Sequence, residues 1–500
     1  MKNVEGYNFS FKKYLKSSFI KVILFSIFFL FNNNIFSQSE TRNQKSASSN
    51  LSLEIETIVN DPFFDKTIIA IDIFDLTDST SLYQKNNQLL LRPASNMKLL
   101  TSASALLNLG EHYTFKTDLY HTGVIEDTIM YGDLFIVGGF DPMLMTTDID
   151  SMISIIKSLG IKKISGGVYA DISKKDSIYW GRGWMWDDNP DPGAPYLSSL
   201  NVNGNAIEVF ANTAEIDSPL IIKINPETKF VKVANNSITV DSDESEEILI
   251  TRDWLNNKNI ILISGSAGKD QSHEYSSKIN LMYPERYFLE LFKEKLAQSG
   301  ITFYKPVDVK NLEKNSVYLT SIYHSIDTVL SFVNKDSDNL SAEMLIYAMA
   351  YKDSGAPAVA DDGLAAVKRL IDSVGFNSND YSIADGSGVS HYNLLNAELI
   401  LATLKYMYYD HKSLFNLFYN SLAVAGVDGT LKNRMKNTSA LNNVHAKTGT
   451  LNGVSNLSGY VTAKNGHLLA FSILIQNYVD QSSRARNFQN KICELLVEFE

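Results

Sequence analysis

The stretch RPASNMKLLTSASALLNLG, residues 92 to 110, places a lysine where the surrounding pattern predicts a buried helix. Ser95 and Lys98 are three residues apart, and residues at that spacing share one face of a helix. A serine hydroxyl becomes a nucleophile when a base lies within hydrogen-bond reach. Burial beside Leu99 and Leu100 favours the neutral amine of Lys98, which is the form that can act as a base. The stretch therefore predicts a helix that starts with a serine nucleophile and its lysine base.

The Ser-x-x-Lys spacing is weak evidence by itself. It also occurs at Ser10, Ser18 and Ser266, and a serine at the start of a helix is most often a cap. The alternative is a capped helix that carries a stray charge at Lys98. Segments farther along the chain decide between the two interpretations.

Two downstream motifs complete a three-part pattern. Ser-Asp-Asn, residues 337 to 339, precedes a predicted helix, and Lys-Thr-Gly, residues 447 to 449, lies on a predicted strand. Each has an ordinary alternative, because Ser337 or Asn339 could cap the helix and Lys447 could be a solvated charge at a sheet edge. Together and in this order, the three motifs are typical of penicillin-binding proteins and class A β-lactamases.

The motifs supply the groups that acyl transfer through a serine requires. We expect Ser95 to attack a carbonyl carbon, Lys98 to take the serine proton and Ser337 to relay a proton to the leaving nitrogen. The backbone amides of Ser95 and Thr450 would form the oxyanion hole. Lys447 together with Thr448 would hold a substrate carboxylate.

Other stretches extend the similarity: VGGFDPML, GWMWDD, DGSGVSHYN, AGVDGTLKNRM and AKTGTLNGVSNLSGYV. With them the sequence resembles the low-molecular-mass class C penicillin-binding proteins, the D-alanyl-D-alanine carboxypeptidase/endopeptidase family, from about residue 67 to the C-terminus. The resemblance implies an α/β (α+β) fold. Its transpeptidase/β-lactamase-like domain has an antiparallel sheet flanked by helices and is interrupted by a β-rich insertion.

The resemblance also implies a reaction. Such enzymes remove the terminal D-Ala from peptidoglycan stem peptides, and many cut D-amino-acid cross-links, through an acyl-enzyme that here would form on Ser95. β-Lactams mimic the substrate and acylate the same serine. The implied partners are therefore stem peptides and, as inhibitors, β-lactam antibiotics, and a homodimer is left open.

Substrate-binding positions follow from the same resemblance, motif by motif. The expected residues are Asn339, Lys447, Thr448, Gly449 and Thr450. The chain departs from the family at His391, because the family usually has arginine at this place in the Asp-Gly-Ser-Gly loop that begins at Asp385. If that arginine reads the third residue of the stem peptide, this preference differs here, and a loop histidine without substrate contact is the alternative.

The N-terminal segment predicts export. A basic region through Lys21 precedes the apolar run Val22 to Phe31, which is shorter than the roughly 20 residues that a spanning helix needs. A signal peptide fits best, with an uncleaved anchor as the alternative, and either leads to a periplasmic or extracytoplasmic protein. The predicted divisions are a signal peptide at 1–37, a linker at 38–49, the transpeptidase-like domain at 50–117 and 324–500, and the insertion at 118–323.

Composition excludes several classes of protein. The formal charge of −11 and the lack of a basic stripe argue against a nucleic-acid partner. Cys493 is the single cysteine, so no disulfide framework is expected. The eight histidines show no metal-ligand spacing, and we expect neither a metal nor another cofactor.

Two other functions are compatible with the motifs. A class A β-lactamase needs a glutamate-bearing loop between Ser-Asp-Asn and Lys-Thr-Gly, and neither Glu343 nor Glu398, both on predicted helices, fits such a loop. A catalytically silent penicillin-binding module of the cell wall is the second alternative. The presence of every catalytic side chain argues against it.

Overall fold

The computed structural model describes residues 49–241, 245–270 and 274–500. The predicted export segment at 1–37 and residues 38–48 of the predicted linker lie outside these ranges. Within the described ranges, no helix combines the length and apolar character needed to cross a membrane. The α-helices there are α1 (49–59), α2 (Met97–Leu109), α3 (Thr146–Ser158), α4 (Pro284–Gln298), α5 (Ile326–Ser331), α6 (Asn339–Ser354), α7 (Ala360–Ser373), α8 (Ala397–Tyr409), α9 (Lys412–Asn420) and α10 (Ser482–Val497).

The strands form five sheets among the described residues. One of them joins both ends of the described chain, and the other four lie between α2 and α5 in sequence. In chain order the strands are β1 (Ile68–Asp75), β2 (Thr80–Lys85), β3 (Thr114–His121), β4 (Val124–Glu126), β5 (Ile129–Tyr131), β6 (Leu134–Val137), β7 (Lys163–Ile164), β8 (Val168–Asp171), β9 (Ala206–Asn212), β10 (Ile221–Asn225), β11 (Lys232–Asn235), β12 (Ile238–Val240), β13 (Glu246–Arg252), β14 (Ile260–Gly268), β15 (Tyr275–Asn280), β16 (Thr302–Phe303), β17 (Val307–Val309), β18 (Val317–Ser325), β19 (Ala423–Val424), β20 (Val444–Leu451), β21 (Val454–Thr462) and β22 (Leu468–Gln476).

The sheet that carries the site has six strands in the order β19-β20-β21-β22-β1-β2, and every neighbouring pair is antiparallel. The predicted antiparallel sheet flanked by helices is confirmed. β21 and β22 are buried on both faces, so they need cover on both sides. α8 and the helices around it pack on one face, and α1 and α10 pack on the other.

The region between α2 and α5 has its own hydrophobic core. Its four sheets contain both parallel and antiparallel pairs, and two helices, α3 and α4, pack against each other and against the five-stranded sheet β17-β8-β6-β3-β18. The sequence pattern predicts the β-rich character, and the run PERYFLELFKEKLAQSG predicts the helix α4, but the pattern misses α3. Its inward residues Ile149, Met152, Ile153 and Ile156 do have helical spacing, but the short strands around them dominate the local pattern. The boundaries at 118 and 323 stay a prediction.

Candidate active site

Ser95 lies in a single 3-10 turn, Ala94–Asn96, that leads directly into α2. The nitrogen Nζ of Lys98 is 3.0 Å from the hydroxyl oxygen of Ser95, 2.5 Å from Oδ1 of Asn339 and 2.7 Å from the backbone oxygen of Ser387. Neither the turn nor α2 has a side-chain cap, so Ser95 is not a helix cap. Lys98 is fully buried, as the sequence predicts.

The three neighbours of Lys98 define what its amine can do. Burial lowers the pKa of Lys98 to about 8, although nearby carboxylates, Asp385 foremost, act in the opposite direction. A neutral amine has two hydrogens and one lone pair. Asn339 and Ser387 offer only acceptor oxygens at these contacts, so both hydrogens are used there. The lone pair is then directed at the hydroxyl of Ser95, which is the arrangement of a general base.

The second motif approaches from the loop before α6. Ser337 follows the π-helical turn Phe332–Asp336 and has a φ of 62°, a left-handed conformation that is uncommon for serine. Asp338 caps α6 by accepting a hydrogen bond of 2.6 Å from the amide of Ser341. The alternative in which Ser337 or Asn339 caps this helix is therefore wrong. Both side chains are available to the site.

Lys447 joins the third motif to the second. It is fully buried, and Nζ donates to the hydroxyl of Ser337 at 2.9 Å and to the backbone oxygen of Thr448 at 2.9 Å. Burial lowers the pKa of Lys447 well below its usual value, and the nearby amine of Lys98 lowers it further. The alternative of a solvated charge at a sheet edge is wrong.

The edge of β20 is open beside these residues. β19 pairs only with His445 and Ala446, so within the described chain the segment from Lys447 to Leu451 has no strand neighbour on that side. Thr450 is exposed along this edge. An unpaired strand edge offers backbone amides and carbonyls to an extended peptide.

A second threonine lies beside this edge. The hydroxyl of Thr448 donates to the hydroxyl of Thr430 at 2.8 Å. Thr430 belongs to the AGVDGTLKNRM stretch and was not among the predicted site residues. A hydroxyl has no spacing rule that marks it in sequence, so only the fold brings the two threonines together.

Gly449 allows the sheet to approach the turn that contains Ser95. A Cβ at this position would lie 2.8 Å from the backbone oxygen of Pro93 and 2.9 Å from Oδ1 of Asn96. The side chain of Asn96 also donates to the hydroxyl of Ser458 on β21 at 2.6 Å. The glycine of Lys-Thr-Gly is thus a packing residue that brings β20 against the turn of Ser95.

The loop at Asp385 supports Lys98 from behind, and Glu343 supports that loop. One carboxylate oxygen of Glu343 accepts from the amides of Gly386 and Ser387 at 3.0 and 2.8 Å. Burial and the charge of Asp385 raise the pKa of Glu343. Glu343 therefore fixes the backbone whose carbonyl accepts from Lys98, a role that the sequence did not reveal.

Asp385 ties the same loop to the insertion. Its carboxylate accepts from the amides of Gly388 and Ser390 at 2.8 and 2.6 Å and from the side chain of Asn393 at 2.7 Å. The indole nitrogen of Trp184, in the GWMWDD stretch of the insertion, donates to it at 2.9 Å. A residue far away in sequence thus helps to hold the loop.

His391 lies on this loop next to a second basic side chain. Its Nδ1 is 3.4 Å from Nη1 of Arg92, and Nη2 of Arg92 donates to Oδ1 of Asn477 at 3.3 Å. No carboxylate of the described residues forms an ion pair with Arg92. Arg92 stands three residues before Ser95 in the opening stretch, but nothing in the sequence pairs it with His391.

The predicted site residues therefore meet at one place. Direct contacts link the three motifs through Lys98, Asn339, Ser337 and Lys447, and Thr448, Gly449 and Thr450 continue along β20. His391 lies on the loop that starts at Asp385, and the backbone oxygen of Ser387 in the same loop accepts from Lys98.

Known proteins resemble this chain over most of its length. The model of the D-Ala-D-Ala carboxypeptidase 3 (S13) family matches residues 51–498. A D-alanyl-D-alanine carboxypeptidase of Actinomadura sp. (strain R39) is 29% identical over 461 residues, which cover 89% of this chain and 84% of the relative. The carboxypeptidase DacB of Haemophilus influenzae is 29% identical over 406 residues, covering 79% and 82% of the two chains.

A solved structure shows the same fold. The crystal structure of penicillin-binding protein 4 (dacB) from Haemophilus influenzae superposes with a TM-score of 0.77 at 25% identity. The match covers 88% of this chain and 97% of that one. The resemblance inferred from the motifs is confirmed, and so is the fold class.

Proposed function

The chain belongs to the D-Ala-D-Ala carboxypeptidase 3 (S13) family, and from that premise we propose that Ser95 is the nucleophile of its reaction. The protein is a serine-type D-Ala-D-Ala carboxypeptidase, a hydrolase of peptide bonds. The observation that carries the assignment of Ser95 is its contact with the buried amine of Lys98. The substrates that we propose are the stem peptides of peptidoglycan.

Acylation begins with the transfer of one proton. Lys98 takes the hydroxyl proton of Ser95 while the serine oxygen attacks the carbonyl carbon of the penultimate D-Ala. The oxygen of the tetrahedral intermediate accepts hydrogen bonds from the backbone amides of Ser95 and Thr450. Lys447 donates to the oxygen of Ser337, which leaves the hydrogen of that hydroxyl free for the leaving nitrogen. Ser337 gives this hydrogen to the nitrogen as the C–N bond breaks and takes back the proton that Lys98 received from Ser95, so that Lys98 is neutral again. Terminal D-Ala departs as an amine.

Hydrolysis of the acyl-enzyme reuses the same groups. Water attacks the ester carbonyl from the side that the leaving amine has vacated. Its proton passes to Lys98, and the oxygen of Ser95 regains a proton when the ester bond breaks. The products are the shortened peptide and the free enzyme.

The open edge of β20 orients the substrate. An extended stem peptide binds as an added strand along Thr448 to Leu451 and pairs with the free backbone groups. Its terminal carboxylate lies at the hydroxyls of Thr448 and Thr430, with the amine of Lys447 behind them. Asn339, at the opposite wall, offers its side-chain amide to the peptide.

His391 and Arg92 supply the recognition of the residue upstream of the scissile bond. They lie side by side, and Arg92 has no carboxylate partner among the described residues, so the pair attracts an anionic side chain. In this arrangement Arg92 provides the guanidinium that the family carries at the position of His391. Asn477 orients that guanidinium from the other side.

β-Lactams inhibit the enzyme in this proposal by acylating Ser95. A class A β-lactamase hydrolyses such an adduct rapidly with a carboxylate that activates water. Glu343 cannot serve, because it is buried and already accepts from two backbone amides. The β-lactamase alternative is therefore disfavoured, and the contact of Lys98 with Ser95 disfavours a silent module.

We also propose that the protein is exported to the periplasm by its N-terminal segment, because its substrate lies outside the cytoplasm. The test of localisation is cell fractionation of the full chain. Protein with its N-terminus beyond residue 37 in the periplasmic fraction supports export with cleavage. Protein confined to the cytoplasm contradicts it.

The test of function compares wild type with Ser95→Ala on monomeric and cross-linked muropeptides, followed by mass spectrometry. Ser104→Ala is the matched control, because Ser104 is buried on the same helix and its hydroxyl has no hydrogen-bond partner. Wild type and the control should release D-Ala and bind one labelled penicillin per chain. Equal release by Ser95→Ala would refute the assignment of the nucleophile.

A further inference from the structure

We propose that Arg252, in the insertion, is a positioning residue that orients the side-chain amide of Asn339 toward Lys98. The inference rests on the proposed function, because it concerns the same catalytic lysine. It assigns to the insertion a part in setting the general base. The connection runs through Asn280 and the loop from Asp191 to Ala194.

Arg252 is unusual among the buried residues. It is 1% exposed, and none of the described carboxylates forms an ion pair with it. Its guanidinium donates to Oδ1 of Asn189 at 2.5 Å, to Oδ1 of Asn280 at 3.1 Å and to the backbone oxygen of Lys258 at 3.3 Å. The guanidinium also lies over the ring of Tyr196, 5.6 Å from its centroid. Burial of a charge without a carboxylate partner is costly. Such a residue indicates that its hydrogen bonds have a use beyond stability.

The first consequence is the orientation of Asn280. A guanidinium has only donors, so the carbonyl end of the Asn280 amide must face it. The amino end then points the other way and donates to the backbone oxygens of Asp191 and Ala194 at 3.1 and 2.8 Å. The backbone amide of Asn280 also donates to the oxygen of Pro190 at 3.1 Å. Arg252 thereby pins the loop in one conformation.

The second consequence is the orientation of Asn339. The pinned loop presents the backbone oxygen of Gly193, which accepts from Nδ2 of Asn339 at 2.5 Å. Because the amino end is held there, the carbonyl end faces Nζ of Lys98 at 2.5 Å. The side-chain amides of Asn280 and Asn339 thus connect Arg252 to Lys98, and the orientation of the first amide fixes that of the second.

This orientation matters for the chemistry. If the amide of Asn339 were reversed, its N–H would point at Nζ of Lys98 and donate to the lone pair. That lone pair would no longer be available for the hydroxyl proton of Ser95. The carbonyl of Gly193 prevents the reversal, because in the reversed amide the two carbonyl oxygens of Gly193 and Asn339 would face and repel each other.

The test measures the second-order rate of acylation by a fluorescent penicillin in wild type, Arg252→Met, Arg252→Lys, Asn339→Ala and the double variant with Arg252→Met. Arg252→Met should lower the acylation rate about tenfold, because the loss of one oriented hydrogen bond corresponds to a change of that size. Arg252→Lys should recover most of the rate, because an ammonium group also has only donors. In the Asn339→Ala background, Arg252→Met should change the rate by less than about twofold.

Two further variants separate positioning from stability. Asn280→Asp keeps an acceptor for Arg252 but turns its second oxygen toward the backbone oxygens of Asp191 and Ala194. The variant should stay folded because Arg252 keeps its acceptor. The repulsion between the second oxygen and the two backbone oxygens should displace the loop and lower the acylation rate about tenfold. Arg434→Met is the matched control. Arg434 also pairs with side-chain amide and backbone oxygens, but these oxygens belong to α10, so loss of its guanidinium should leave the acylation rate unchanged.

The outcomes distinguish this inference from the proposed function. A wild type that takes up no penicillin contradicts the proposed function. The inference is overturned if wild type is acylated and folded Asn280→Asp reacts at the wild-type rate. An Arg252→Met effect of equal size with and without Asn339 also overturns it, because the two residues would then act independently.

Discussion

The pH dependence of acylation tests the assignment of Lys98 most directly. Because only the neutral amine accepts the proton of Ser95, the rate should rise with pH through the pKa of Lys98 and level off above it. Burial places that pKa at about 8. At pH 7 about a tenth of the enzyme would then hold a neutral lysine, whereas a pKa of about 10.4 would leave fewer than about one molecule in a thousand.

The perturbation that moves this profile is Asn339→Asp. It replaces the amide oxygen 2.5 Å from Nζ with a carboxylate oxygen of the same size. An opposite charge at such a distance favours the protonated amine and raises its pKa by roughly 1 to 3 units. The acid limb should move upward by that amount, and the rate at pH 7 should fall about 10- to 1,000-fold and recover at alkaline pH.

The assay is single-turnover acylation by fluorescent penicillin across the pH range, with the acyl-enzyme counted after denaturation. Asn339→Ala is the control, because it removes the same contacts without adding a charge. Its rate should fall, but its acid limb should not move upward. A wild-type rate that is flat between about pH 6 and 9, or an Asn339→Asp profile that coincides with the wild type, would refute Lys98 as the base.

Three further predictions concern the supports of the site and the core. Glu343→Ala leaves two buried backbone amides without an acceptor and should lower the free energy of unfolding by about 2 to 6 kcal/mol, whereas Glu343→Gln keeps an acceptor oxygen and should unfold near the wild type in chemical denaturation. Gly388→Ala combines a φ of +86° with a Cβ 1.9 Å from the backbone oxygen of Ala94, so it should abolish acylation or folding. Gly375→Ala, with a φ of +92° and open space around the new Cβ, should lower the free energy of unfolding by only about 1 to 3 kcal/mol and keep full penicillin uptake. Equal behaviour of the two variants would contradict the close approach at Gly388. Burial raises the pKa of the Cys493 thiol to about 12, so a thiol reagent should label it in denaturant and not in the native enzyme, and rapid labelling of the native enzyme would show that this face of α10 does not stay packed against the sheet.

Local patterns in the sequence were sufficient for the elements that carry the motifs. Alternation and apolar runs predict β1, β20, β21 and β22, and the helical spacing of Ser95 and Lys98 predicts their contact, because these features depend on neighbours a few residues apart. The order of the three motifs predicts the family. The same local reasoning missed α3, and it left open a cap of α6 at Ser337 or Asn339, whereas the cap is Asp338.

The tertiary structure decided the properties that depend on long-range contacts. Sequence indicates that Lys98 is buried and contacts Ser95, but its other two hydrogen-bond partners and the carboxylates around it come from segments more than two hundred residues away. Glu343, Thr430 and Arg92 have no local signature that marks them as parts of the site. The sequence by itself determined which groups we propose to react. The fold determined their protonation and orientation, because both depend on burial and on donors and acceptors that only packing brings together.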